Sequence, residues 1–406
     1  MKQRYQLFFA LFIISILISA CTRPQVVDEL AQTMVAQTLT SIAKASETPD
    51  LTRTQIPTPT GEATATPTPT YTPEPVLEAN GPTDFPDGIN PLTGIAVADP
   101  TLLDRRPVLV KVANHPAVGR PHAGLSFADI VFEYYIGYGG NRFMGLFYGQ
   151  DSEKIGPVRS GRLVDPQLVS MYQGILAFDS ADARVYARIV EILGTRAITR
   201  SGNTCPGVCD DGRNIVISVF GDSAALAGIA ERRGVEKSKP LLDGMRFDPL
   251  IPEDGVPAAD VSILFGSLNK GEWIFDEASG RYLRWIEEND GYGNLKMIPL
   301  VDQLTDEQLA FSNVIVLFAN YDEMSPSLHD IEVWDNTSGM RAVIFRDGQA
   351  YEATWKTTSN KAPIQFTNKD GDVFPLKPGN TWMVLMGNSS KVKTTDDVWE
   401  FIFYLP

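Results

Sequence analysis

Histidine and cysteine are scarce in this chain, with three of each in 406 residues. His115, His122 and His329 stand far apart, and no cysteine lies beside any of them. Soft metal centres need several such donors together, so no metal and no other cofactor is expected. His-Glu-x-x-His, Gly-x-Ser-x-Gly and Walker patterns are missing too, which removes the familiar signatures of zinc peptidases, α/β-hydrolases and P-loop enzymes. Positive charge is also short: 35 Lys and Arg face 50 Asp and Glu, for a net charge of −15. Nucleic acid and anionic lipid head groups both call for clustered positive charge, so neither is an expected partner.

No uninterrupted apolar stretch reaches the roughly 20 residues of a spanning helix. The longest, residues 7–20, is preceded by Lys2 and Arg4 and ends Ile18-Ser19-Ala20-Cys21. Basic flank, short apolar core and small residues are the parts of an export signal. With Cys21 next, the segment resembles the lipobox of prolipoproteins. That resemblance implies cleavage before Cys21, acylation of its sulfur, and a chain held at the outer face of the cytoplasmic membrane. Loss of Lys2 and Arg4 leaves 33 basic residues against 50 acidic.

Beyond the anchor, residues 21–46 read as a tether helix: Pro24 suits a first turn, Asp28 and Glu29 lie early, and Lys44 lies late. It could lie on the membrane, self-associate, or serve only as a tether. Residues 47–87 read as a disordered Thr/Pro-rich stalk; residues 51–73 alone hold nine Thr and five Pro and too little apolar surface to offset ordering entropy. At roughly 3.1 Å per residue in extended polyproline geometry, the stalk reaches on the order of 100 Å. The expected fold class is α+β. A mixed α/β domain over residues 88–250 alternates strands (107–114, 128–136, 142–149, 174–178, 215–220) with helices (164–172, 182–193, 223–233). A smaller, mostly β domain follows over residues 257–406, with turn signals at Asp347-Gly348 and Asp370-Gly371 and all six tryptophans.

Cys205 and Cys209 flank Pro206-Gly207-Val208. In an exported protein a disulfide is the default, free thiols or a metal or redox role being the alternatives. Closing so small a ring is worth on the order of 2 kcal/mol.

The densest polar cluster is Gly156-Pro157-Val158-Arg159-Ser160-Gly161-Arg162, ahead of a predicted helix. Helix-start N–H groups and guanidinium forks suit a phosphate or carboxylate. Arg142, Arg159, Ser160 and Arg162, with Asp129 and Glu133 beside them, are therefore the expected ligand-binding residues. The competing reading is structural, with the arginines paired to Asp129 and Glu133. Those two carboxylates, four residues apart on a strand, stand about 13 Å apart. Glycosidase pairs stand roughly 5–9.5 Å apart, so no catalytic residue is assigned. His122, after Pro121, reads as a hydrogen-bonding loop residue. Trp273, Trp285, Trp355 and Trp382 could stack on sugars or fill the core.

Several motifs run in order: Asn90-Pro91-Leu92-Thr93-Gly94, Arg106-Pro107, Asn114, Arg120-Pro121-His122-Ala123-Gly124-Leu125, Ala128-Asp129-Ile130-Val131-Phe132-Glu133, Gly139-Gly140-Asn141-Arg142-Phe143 and residues 154–162. Later come Ser312-Asn313-Val314-Ile315-Val316, Asp347-Gly348, Thr354-Trp355, Asp370-Gly371 and Pro378-Gly379-Asn380-Thr381-Trp382. Together they resemble the YerB-like bacterial lipoproteins, whose two halves are domains of unknown function. The chain departs from that pattern at Ala177-Phe178-Asp179-Ser180-Ala181, where similar proteins carry a histidine. The resemblance implies location and architecture but no reaction. The expected function is a non-enzymatic binding or adaptor protein of the envelope, with a cell-wall polymer or envelope protein as partner. The alternative is a wall-polymer hydrolase or transferase using first-domain carboxylates.

Overall fold

Alternating apolar residues, broken by Gly and Asp turns, make strands the main element of the computed structural model, which describes residues 77–115, 117–213, 217–289 and 294–406. The signal segment, Cys21, the tether helix and the stalk through residue 76 lie outside the described residues, as do 214–216, which overlap the start of the expected strand 215–220. Among the described residues the chain is mostly β with few helices, so the expected α+β mixture leans further toward strand than the first-half pattern implies.

The first half gives the main sheet β1 (Val108–Val112), β2 (Ile130–Gly137), β3 (Gly140–Phe147), β4 (Ile175–Phe178) and β5 (Ala197–Thr199), and has short strands outside it at Val208–Asp210, Val219–Gly221 and Arg246–Phe247. Helix α1 (Asp165–Met171) is buried along its whole length, with Pro166 in the first turn. Helix α2 (Ala183–Leu193) starts at Asp182, whose carboxylate accepts the Arg184 N–H, and buries Val185, Ile189 and Leu193 at four-residue spacing. Helix α3 (Ser223–Arg232) starts in the same way at Asp222.

The second half adds β6 (Asp260–Gly266), β7 (Asn269–Asp276), β8 (Arg281–Asn289), β9 (Leu295–Pro299), β10 (Asn313–Ser325), β11 (Met340–Arg346), β12 (Gln349–Lys356), β13 (Gln365–Thr367), β14 (Thr381–Gly387), β15 (Lys391–Thr395) and β16 (Val398–Ile402). The main sheet runs β13-β12-β11-β10-β14-β2-β3-β1-β4-β5, and a second runs β9-β8-β7-β6-β16-β15. Strand β14 is buried at every position and parallel to both neighbours, so it reads as a continuous apolar run. One neighbour is β10, from the second half; the other is β2, from the first. A single sheet therefore crosses the expected boundary near residues 250–257.

Between β11 and β12, Asp347 (φ 55°) and Gly348 (φ 70°) take the left-handed conformations that close a two-residue hairpin. The sulfurs of Cys205 and Cys209 are bonded, with Cα atoms 4.9 Å apart. Trp273, Trp355 and Trp382 are wholly buried, so their side chains fill the core rather than offer stacking faces.

Candidate functional site: an arginine cluster at the head of α1

Strand register decides which polar side chains meet. Residues opposed in an antiparallel pair project to the same face. Tyr134 opposes Arg142 across β2 and β3, and Lys111 opposes Met144 across β1 and β3. Lys111, Tyr134 and Arg142 thus share the face covered by α1. Glu133, one position off, belongs to the opposite face.

On the α1 face Lys111 is fully buried, with its ammonium 3.3 Å from Asp165 and 3.8 Å above the Tyr134 ring. The Tyr134 hydroxyl donates to the same Asp165 carboxylate, and Lys111 donates to the Tyr134 oxygen. Burial is the main cause that pulls the Lys111 ammonium down to about 7, and Arg162 and Arg142 lower it further against the attraction of Asp165. Beside this triad stand Arg142, Arg159 and Arg162. Arg142 is buried; it donates to the carbonyl oxygens of His115 and Asn141, the latter at 3.0 Å. Arg162 donates to the Gly161 carbonyl at 2.9 Å. Burial, then the neighbouring guanidinium groups of Arg162 and Arg159, push Arg142 well below its usual range. Burial also lowers Arg162 against the attraction of Asp165, and Arg159 adds to the lowering.

None of these three arginines forms an ion pair with a carboxylate among the described residues. The buried Nε–H groups of Arg142 and Arg162 also lack hydrogen-bond acceptors. Ser160 lies alongside, its hydroxyl 3.0 Å from that of Ser180. Three clustered guanidinium groups have the chemistry to pair with an anion, because a guanidinium fork matches carboxylate and phosphate oxygens in pairs.

The structure brings only some of the expected site residues together. Arg142, Arg159, Ser160 and Arg162 do come together, but Asp129 and Glu133 are not beside them. Asp129 is buried where it accepts from the Asn90 amide (2.8 Å) and the backbone N–H groups of Tyr148 (2.6 Å) and Gly149 (3.0 Å). Burial raises its carboxyl to about 6 in spite of those donors. Glu133, across the sheet, accepts from Trp382 Nε1 (2.8 Å) and the Asn141 amide, and pairs with Arg284 at 3.4 Å. Three backbone N–H groups of the expected anion site at the helix start are already taken. The N–H groups of Arg159 and Gly161 donate to Lys111 and Ser180 carbonyls, and that of Arg162 donates to Asp165.

The comparisons with known proteins bear on this geometry. Residues 92–234 match the N-terminal domain, and residues 261–383 the C-terminal domain, of a family described as protein of unknown function (DUF3048). The chain is 27% identical over 311 residues to YerB of Bacillus subtilis, which carries the name of a lipoprotein; the alignment spans 72% of this chain and 84% of YerB. The crystal structure of YerB superposes with a TM-score of 0.58 at 25% identity, covering 73% of this chain and 96% of that one. The chain belongs to the YerB-like family. The arginine cluster falls wholly within the family's N-terminal domain, whereas Arg284 and Trp382, partners of Glu133, fall in the C-terminal one.

Family motifs also supply the polar seam between the halves. Arg120 binds the Glu287 carboxylate at 2.7 Å and the Asn114 side chain at 3.2 Å; Asn114 donates to Asn141 at 2.7 Å, and Asn141 to Glu133. Sequence reasoning missed Lys111, Asp165 and Arg284. The available signal was a lone charge in an otherwise apolar strand, as in Val108-Leu109-Val110-Lys111-Val112. Buried charges are seldom present without a partner.

Proposed function

We propose that this chain is an extracytoplasmic lipoprotein, held by acyl chains on Cys21, whose body binds an anionic cell-wall polymer without transforming it. The supporting observation is the unpaired cluster of Arg142, Arg159 and Arg162, with Ser160 beside it, in a chain with 15 more acidic than basic residues. The polymer's phosphate or carboxylate would neutralise the cluster. Asp129 and Glu133 are buried and bonded away from the arginines, which counts against that pair as the carboxylates of a hydrolase.

The test is co-sedimentation of the detergent-solubilised full chain with purified sacculi at low and high salt. Binding should weaken with salt and by about tenfold in Arg159→Ala, the loss of one charge-assisted contact. Arg159 is only half-buried and has no ion-pair partner, so the variant should keep the wild-type melting temperature. Equal binding by a folded variant, or a variant that unfolds, would return the cluster to a structural role.

A further inference from the structure

A second cationic site lies toward the other end of α1, about 10 Å of helix away, and shares no residue with the arginine cluster. There a cavity of about 440 Å³ is lined by Arg106, Arg196, Lys361, Trp334, Ser170 and Gln173. That volume is within the usual range for small-molecule sites, about 300–1,000 Å³. Arg106 donates to the backbone carbonyls of Glu236 (3.1 Å) and Gln173 (2.9 Å), and Arg196 to that of Gly174 (3.0 Å). These bonds fix the guanidinium groups without neutralising them. Neither arginine, nor Lys361, forms an ion pair among the described residues. The pair is close enough for Arg106 to lower Arg196 further after burial has done so. Carbonyl dipoles cannot cancel a full charge, so the cavity keeps excess positive charge in a protein of net charge −15.

Trp334 sets the shape of what could bind. Unlike Trp273, Trp355 and Trp382, it is only half-buried. Its Nε1–H donates to the Gln167 carbonyl at 3.1 Å, so its polar edge is satisfied within the protein. What it offers the cavity is ring carbon. An indole surface beside hydrogen-bonding side chains and cations suits a sugar ring whose C–H face stacks while a charged substituent reaches the guanidinium groups. We propose that this cavity binds an anionic sugar, a pyranose bearing a carboxylate or phosphate, with the charge at Arg106, Arg196 and Lys361 and the ring against Trp334.

Titration calorimetry of the full-length protein in detergent micelles tests this with glucuronate, glucose 1-phosphate, glucose and inorganic phosphate as probes. Both anionic sugars should bind, glucose should not, and inorganic phosphate should bind more weakly than glucose 1-phosphate. Arg196→Gln should weaken anionic-sugar binding about tenfold or more. Lys361→Ala, at an exposed position, should weaken it roughly threefold and leave the melting temperature unchanged. If Arg196→Gln lowers the melting temperature, Lys361→Ala carries the charge test alone. The site is refuted if neither anionic sugar binds the folded protein, or if the folded variants bind as tightly as the wild type. Inorganic phosphate binding as tightly as glucose 1-phosphate would overturn the sugar assignment.

Discussion

His122 is fully buried, with its Nε2 2.7 Å from the Ala113 carbonyl and its ring 5.3 Å from that of Phe143. Its Nδ1 has no partner, so protonation would add a buried donor with nothing to accept it. Burial, reinforced by Arg120, pulls the imidazole from 6.5 down to about 3. Between those values the unfolded chain takes up a proton that the folded one refuses, so stability falls as pH drops through this window. The slope is at most about 1.4 kcal/mol per pH unit. Asp129 acts the other way: its carboxyl, raised to about 6, holds a proton that the unfolded chain releases above 3.8. The His122 contribution is therefore isolated by comparing urea melts of wild type and His122→Gln between pH 7 and 5. The wild type should lose more stability than the variant across that range; parallel losses would remove the neutral-imidazole account. The hydrogen-bonding role of His122 is legible from its place after Pro121 in a loop. The fates of Glu133 and Arg142 are not, because a one-residue change in register moves a side chain to the other face of a sheet.

Glycine 271 shows how strand positions are set by what lies beside them. It stands on β7 diagonal to Arg284 on β8, where Trp273 opposes Arg284 directly. Arg284 lies 4.1 Å from the Trp273 ring and 5.0 Å from that of Trp382, and pairs with Glu133 across the seam. A Cβ on residue 271 would come within 2.7 Å of the Arg284 Cζ. Gly271→Ala should therefore displace the guanidinium from Glu133 and cost about 3–5 kcal/mol, as does breaking a buried pair. In an Arg284→Met background the same substitution should cost much less, and thermal melts of the four proteins measure that coupling. Equal costs in both backgrounds would show that the glycine serves its own backbone rather than Arg284. At this scale the strands were largely legible, since alternation and turns such as Asp347-Gly348 are local signals. Their order was not. Nothing near residues 381–387 says that this segment pairs with β2, some 250 residues earlier, and long-range pairing leaves no short-range trace in composition.

The position of β14 has a consequence for the molecule as a whole. The family matches divide the body between residues 234 and 261, and composition divides it near 250–257, yet β14 is hydrogen-bonded to β10 on one side and β2 on the other. The polar chain from Glu287 through Arg120, Asn114 and Asn141 to Glu133 and Arg284 crosses the same divide with side chains that are wholly or largely buried. Without residues 257–406, β2 would be an exposed edge with unpaired N–H and C=O groups along an apolar strand, a template for aggregation. Glu133 would also lose Arg284 and the Trp382 N–H together. The body should thus unfold in a single calorimetric transition with matching calorimetric and van't Hoff enthalpies. A fragment of residues 88–250 should be insoluble or molten rather than folded. Two resolved transitions, or a soluble fragment with sharp amide dispersion, would mean that each half carries its own core and that the shared sheet forms only when the halves dock.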